Sequence, residues 1–537
     1  MTASDAKLPS PGAQPGAKPA AAKRPREPRL DFFRGIAMFI ILLAHTPGNT
    51  WTLWIPARFG FSDATEIFVF CSGMASAMAF GAVFANKGFF IGGARIAFRV
   101  WQVYWAHIGV FLVTAIMLFS IDYYDIGNRD NPYIEGPWVV PLFEQTGEAL
   151  IGLFTLTYVP GLFDILPMYL VILAMIPVVM AIHRLGGTPA VLAAMAIVWL
   201  AANLAGYARI MAREDEVAAW QAAIVALGEP LSFLNFPSYP WGDGTWFFNP
   251  FGWQIVFFAG FAFGMGWLPA PPINRTLIFL ALAVLLLTVP LAWHKIHGGY
   301  SVIADTWVHG WVAAARDFIE PLRWKTWQGG LRFLHFLAVA YLALALVGPR
   351  GVYLSEGFPH AAPGRLWIAG ALAVLVATLP IAYPHEIGLL VPGYAAAIEA
   401  VFTFNQQGML QLLHLAALIV AAWAMLGEGG RAWVARDLVL KVVPVIRKVG
   451  TQSLAVFMVS IPLSRFNGWV LDLIGRDVWT KAAVNASGFA ILIAVAYLVS
   501  WLKRQPWRDA PSPNARGAGG TVGLAARAGG AVPAQRG

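Results

Sequence analysis

The run Leu30-Asp-Phe-Phe-Arg34-Gly-Ile-Ala-Met-Phe-Ile-Ile-Leu-Leu-Ala-His45 decides how the rest of the chain is read. Nothing between Gly35 and Ala44 carries a charge, while an arginine stands at one end and a histidine at the other. Further apolar blocks, about 18–25 residues long, recur along the chain, and that is the length a helix needs to cross an ~30 Å hydrocarbon layer. The composition agrees: of 537 residues 58% are hydrophobic and only 12% charged, against about a quarter charged in an ordinary soluble domain. The mean hydropathy is +0.64. No water-soluble core could bury so much apolar surface and keep a polar exterior, so a soluble enzyme is excluded.

The expected fold is all-α, a polytopic helical membrane protein of about twelve transmembrane helices. Spans are expected near 31–47, 62–84, 96–120, 161–183, 188–207, 249–267, 273–293, 329–348, 365–383, 408–426, 452–472 and 482–502. Basic residues set the orientation. Lys23, Arg24, Arg26 and Arg29 abut the first span and hold the N-terminus in the cytoplasm. Lys87, Arg95 and Arg99 then fall inside, Asp122, Asp125, Asp130 and Glu135 outside, and Arg431, Arg436, Lys441, Arg447 and Lys448 inside again. Both termini are therefore expected in the cytoplasm. Residues 1–28 and 505–537, rich in Pro, Gly and Ala, read as disordered cytoplasmic tails flanking a membrane domain over 29–504. The N-terminal tail lacks the apolar core of a secretory signal.

The net charge of +9 follows from these orientation signals and does not indicate a nucleic-acid partner. The 23 tryptophans suit two interfacial belts in contact with membrane lipid. The single cysteine, Cys71, allows neither an internal disulfide nor a thiolate metal cluster; no metal site is expected. Leu331-Arg-Phe-Leu-His-Phe336 echoes Leu410-Gln-Leu-Leu-His-Leu415, but six positions in leucine-rich helices match by chance too often to establish a repeat.

Ionisable groups inside a span are costly and usually face a cavity or a partner. At about 100° and 1.5 Å per residue, Arg34 and His45 share one helix face about 16 Å apart. His45 has two readings, a general base in a polar interior or a packing residue. Asp63 and Glu66 lie one turn apart where the second span begins, at about the depth of His45. Either carboxylate fits a partner that fixes the imidazole tautomer, while Asp63 also fits an N-cap. Arg95 and Arg99, one turn apart, suit either phosphate binding or anchoring. The loop Phe236-Pro-Ser-Tyr239-Pro-Trp241-Gly-Asp-Gly-Thr-Trp246-Phe-Phe-Asn249-Pro-Phe-Gly-Trp253-Gln254 places aromatic faces among amides. Tyr239, Trp246, Asn249, Trp253 and Gln254 are candidates for stacking on and hydrogen-bonding a sugar; the other reading is an interfacial aromatic belt.

Leu-Asp-Phe-Phe-Arg-Gly followed by His45, Phe68-Val-Phe-Cys-Ser-Gly73 and Arg95-Ile-Ala-Phe-Arg99 resemble motifs of the acyltransferase-3 superfamily. More narrowly, Ala44-His-Thr-Pro-Gly-Asn49, Phe61-Ser-Asp-Ala-Thr-Glu-Ile-Phe-Val-Phe70, Asp164-Ile-Leu-Pro-Met-Tyr169 and Trp246-Phe-Phe-Asn-Pro250 resemble the OpgC family, which succinylates osmoregulated periplasmic glucans. The resemblance covers roughly 29–348 and 447–503, leaving an additional two-span segment around 349–430. It implies a bacterial inner-membrane O-acyltransferase, with acyl-CoA (succinyl-CoA) as donor substrate, periplasmic glucan as acceptor and no permanently bound cofactor. Carried over to this chain, it makes His45 the base, Glu66 or Asp63 its partner, and Arg34, Arg95 and Arg99 the residues that hold the donor. A transporter or exporter of a glycan or small anion is the rival expectation, though the paired, Gly/Pro-broken halves of such proteins are not visible.

Overall fold

The computed structural model describes residues 27–507, except 215, 301, 302, 304, 305 and 403. Almost all of both expected tails lies outside the described residues. The principal helices are α1 (Pro28–His45), α2 (Ala64–Tyr123), α3 (Ile165–Met211), α4 (Pro250–Met265), α5 (Arg275–Ala292), α6 (Gly330–Val347), α7 (Arg365–Ala382), α8 (Phe404–Met425), α9 (Val439–Thr451), α10 (Ser453–Ile474) and α11 (Val478–Arg504). Among the described residues the β pairing is one isolated bridge, Pro237 to Thr245.

Every expected span centres on a helix, but the division between helices differs. α2 and α3 each hold two expected spans, and each is broken at a glycine: Gly88 at φ 83° and Gly187 at φ 67°. Those dihedrals lie where a Cβ is disfavoured, so the glycines let the chain turn without leaving helix for long. Among the described residues seven helices are long and apolar enough to cross a membrane, with α2 and α3 counted once each. An eighth arises if Leu410–Met425 and Glu428–Thr451, bent 118° apart, form one broken span. The 427–450 connection is therefore helical over most of its length. Its α9 portion alternates Val439, Val442, Val443, Ile446 and Val449 with Lys441, Arg447 and Lys448, and it packs on α1.

α4 is short, at 16 residues, and lies in the middle of the molecule, with Trp253, Phe257, Phe258 and Phe261 all fully buried. A helix apolar all round belongs in such a place. It crosses α2 closely enough that a Cβ on Gly73 would strike the Phe257 carbonyl and one on Gly260 the Phe70 carbonyl. Small residues at such a crossing let helix backbones approach where the hydrophobic effect cannot drive association.

The segment expected as an additional pair of spans is a copy of its neighbour. Arg275, Ile278, Ala281-Leu-Ala-Val-Leu285, Thr288, Pro290 and Ala292 of α5 recur in order as Arg365, Ile368, Ala371-Leu-Ala-Val-Leu375, Thr378, Pro380 and Ala382 of α7. α5 packs on α6 and α7 on α8, so the echo between Leu331–Phe336 and Leu410–Leu415 joins the second helices of two like pairs. The copies have diverged in their contacts. His335 of the first pair bonds outside it, to the Ser62 hydroxyl at 2.7 Å, whereas His414 bonds within its own pair, to Thr378 at 2.9 Å. Gln411 stands where the first pair has Arg332.

Candidate active site

His45 ends α1. Its Nδ1–H donates to the Ile41 carbonyl, 2.8 Å away and one turn back. A carbonyl only accepts, so this bond places the ring proton on Nδ1 and leaves Nε2 with its lone pair available, the form a general base needs. The half-buried ring lines a cavity of about 700 Å³ together with Asp63, Asp164, Phe247, Phe248, Lys325 and Arg465. It also lines a second cavity of about 470 Å³ that is walled by Trp138, Ser238 and Tyr239. Phe247 and Arg465 border both cavities.

The expected carboxylate partners of His45 are engaged elsewhere. Asp63 caps α2, accepting from the Thr65 N–H at 2.7 Å, and its own N–H donates to Glu66 at 2.8 Å. This reciprocal capping box accounts for the spacing of the two acids. Glu66 is wholly buried and takes its ion pair from the Arg332 Nε of α6. Asp63 is paired by Lys325 at 2.6 Å and by Arg332 at 3.2 Å. The role expected of Glu66, orienting the imidazole, is thus filled by a backbone carbonyl of α1 itself. Two carboxylates drawn so far from water require such cations; Asp63 reaches His45 only through the cavity they share.

Lys325 and Arg332 are site residues that the sequence reading left out. Both belong to the side of the chain where the orientation rule expects few cations, since Lys325 precedes a span that starts on the outer side. Two basic residues unexplained by anchoring were the available signal.

Arg34, Arg95 and Arg99 come together. All three line one cavity of about 710 Å³ with Ser72, Ser76, Tyr169, Ser453 and Lys503. Arg34 donates to the Ser453 hydroxyl, and Arg99 to Gln102 at 3.2 Å. This cavity lies at the opposite end of α1 from His45, about 16 Å along the axis by helical rise. Ser72 faces the arginines and does not line the cavities of His45.

Of the five residues expected to hold a sugar, Tyr239 alone lines a cavity beside His45. Burial, followed by the charge of Asp164, pushes its phenol above the ordinary tyrosine value. The other four are drawn into packing. Trp246 is buried against Phe236. Asn249 caps α4, accepting from the Phe251 and Gly252 N–H groups at 2.9 and 3.1 Å. Trp253 donates to the Lys325 carbonyl and Gln254 to the Met195 carbonyl, each at 2.8 Å. These polar atoms are spent on backbone groups that would otherwise be orphaned in the core. The bond from Trp253 does reach the site, because it fixes the backbone of Lys325. The loop's aromatic density serves to seat α4, and its cavity-facing rings are Tyr239, Phe247 and Phe248.

No curated protein and no solved structure matches the chain. A family model described as OpgC protein matches residues 26–361 and 358–504. The two matched runs meet at 358–361, between the two like helix pairs, and together take in α1 to α11. A polytopic helical protein whose matched region holds both His45 and the three clustered arginines therefore belongs to the OpgC family of glucan-modifying membrane acyltransferases.

Proposed function

We propose that the protein moves a succinyl group from a cytoplasmic acyl-CoA to a hydroxyl of a periplasmic glucan, across the bacterial inner membrane. One observation carries the reading: a histidine with a free Nε2 and a cluster of three arginines line separate cavities at the two ends of one helix. The donor's phosphates are multiply anionic, and guanidinium groups bind them through paired N–H donors. Arg34, Arg95 and Arg99 hold that end. The extended pantetheine arm runs along α1 and delivers the thioester to the cavity of His45. There Nε2 takes the proton of the acceptor hydroxyl as its oxygen attacks the thioester carbonyl. The tetrahedral adduct collapses with loss of the thiolate, to which the imidazolium returns its proton. Direct transfer uses no side chain as an acyl carrier. Tyr239, Phe247 and Phe248 provide the sugar-facing surface.

The test is mass spectrometry of periplasmic glucans from cells lacking the protein, with and without the gene restored. Restoration adds a succinyl-sized anionic mass to the glucans. Glucans that stay unchanged, with the protein present in the membrane, refute the reading; uptake of substrate in a liposome counterflow assay would then establish a transporter.

The donor end makes a separate prediction. Arg99→Ala raises the KM for the acyl-CoA by about 5- to 50-fold, the value of one or two charge-assisted hydrogen bonds in a partly solvated cavity, and changes kcat little. Steady-state kinetics with purified protein checks it. An unchanged KM assigns Arg99 to membrane anchoring.

A further inference from the structure

Arg465 lines the cavity of the candidate base and has no ion-pair partner among the described residues. It stands on α10, within an apolar span, where an ionisable residue is costly unless it serves a ligand or a pathway. Its Nε is buried with no hydrogen-bond partner among the described residues. Arg129, a like charge near it, is itself held by Asp472 at 2.6 Å. Lys325 and Arg58, the other cations lining the His45 cavity, each have a partner. Lys325 is paired with Asp63. Arg58 donates to the Thr52 carbonyl at 3.2 Å. Asp164, whose Oδ2 is also buried without a hydrogen-bond partner, has Lys325 as its charged neighbour. Three cations and two carboxylates line the cavity; Arg58 is exposed to solvent, which leaves Arg465 as the enclosed cation whose Nε has no partner among the described residues.

A partly buried guanidinium whose enclosed Nε has no partner is an incomplete site, since an anion in the cavity would offset the desolvation it has already suffered. The anion must enter with a substrate. Arg465 borders both cavities that meet at His45, so its charge lies next to the acyl group being transferred and not at the phosphate end of the donor.

We infer that Arg465 is a specificity-determining residue that binds the terminal carboxylate of a dicarboxylic acyl group while its thioester carbonyl is held at His45. This rests on the acyl-transfer reading and deepens it: the cavity selects an acyl chain with a charge at its far end over an uncharged chain of equal length. An acceptor glucan that already bears a carboxylate is the other source of the same chemistry.

The experiment uses purified full-length protein with succinyl-CoA or butyryl-CoA, four-carbon donors that differ in the terminal carboxylate, and a neutral glucan oligosaccharide as acceptor. The wild type prefers succinyl-CoA. Arg465→Gln lowers the succinyl-to-butyryl ratio of kcat/KM by about 10- to 100-fold, the loss expected for one charge-assisted hydrogen-bond pair. The change lies in the KM for succinyl-CoA, and Arg465→Lys restores part of it. Because the readout is a ratio within one preparation, partial unfolding of a variant does not alter it. If Arg465→Gln lowers both donors equally, or leaves the ratio as in the wild type, Arg465 does not read the donor and the inference fails while acyl transfer stands. If the ratio is unchanged with neutral glucan but transfer to a succinylated glucan is lost, the carboxylate belongs to the acceptor and the donor assignment is overturned. If the wild type transfers neither group, the acyl-transfer reading falls and this inference with it.

Discussion

His45→Ala lowers acyl transfer by at least about 10²- to 10⁴-fold, the range over which a positioned general base accelerates proton transfer, while the protein still inserts and folds. The two halves of this expectation have separate causes. The imidazole makes its hydrogen bond to the Ile41 carbonyl, inside its own helix. Losing it removes no hydrogen bond to another helix. The loss of rate arises because His45 lines both cavities, and among the described residues no other imidazole lines either one. His335, which bonds close to the start of α2, is committed to Ser62. Glucan mass spectrometry in complemented cells, alongside size-exclusion profiles of the purified variant, checks both halves. A folded His45→Ala protein that keeps wild-type turnover removes the base from the mechanism.

Helical periodicity and the cost of charge in lipid made α1 readable from the run Leu30–His45 alone. Arg34 and His45 had to lie on one face, and whatever joined them had to be long. The clustering of Arg34 with Arg95 and Arg99 was legible for the same reason, because positive charge near the ends of adjacent spans gathers on one side of a membrane. What could not be read is which long-range partner satisfies each group. Asp63 and Glu66 announce a helix start by local rules, and local rules say nothing of an arginine 266 residues further on. The same limit explains the loop before α4. Aromatic and amide residues in a Gly/Pro-rich stretch are as well suited to seating a buried helix as to binding sugar, and only packing distinguishes Tyr239 from Trp253. Arg465 was open to the reasoning applied to His45, an ionisable group inside a span. The duplicated helix pair was also open, through Ala-Leu-Ala-Val-Leu with Thr and Pro at fixed distances; the weaker echo around His335 and His414 hid it.

Arg332→Met is the substitution with the largest expected cost to stability. It leaves Glu66, with no exposed surface, and one side of Asp63 without their cation. Removing one partner of a buried pair typically costs about 3–5 kcal/mol, since the remaining charge stays buried and uncompensated. Asp63 retains Lys325 at 2.6 Å, so the deficit falls chiefly on Glu66. Arg332→Lys does not restore the wild type, because an ammonium is a point donor and cannot span two carboxylates as the guanidinium fork does. Replacing both members, Arg332→Met with Glu66→Met, is milder than the single change despite the extra substitution: with no charge left to bury, the desolvation penalty disappears. Asp63 then loses its capping-box partner, which costs only about 1 kcal/mol. Thermal unfolding in detergent, followed by size exclusion, orders the variants as wild type, double, then Arg332→Met. The order matters for function because α6 carries Arg332 and the chain just before it carries Lys325, so this ion network fixes one wall of the His45 cavity. If Arg332→Met unfolds no earlier than the double variant, water reaches Glu66 and the wall is softer than the geometry shows. In that case the Lys325–Asp63 bond alone would have to keep the cavity in register, and Lys325→Met would become the more damaging change.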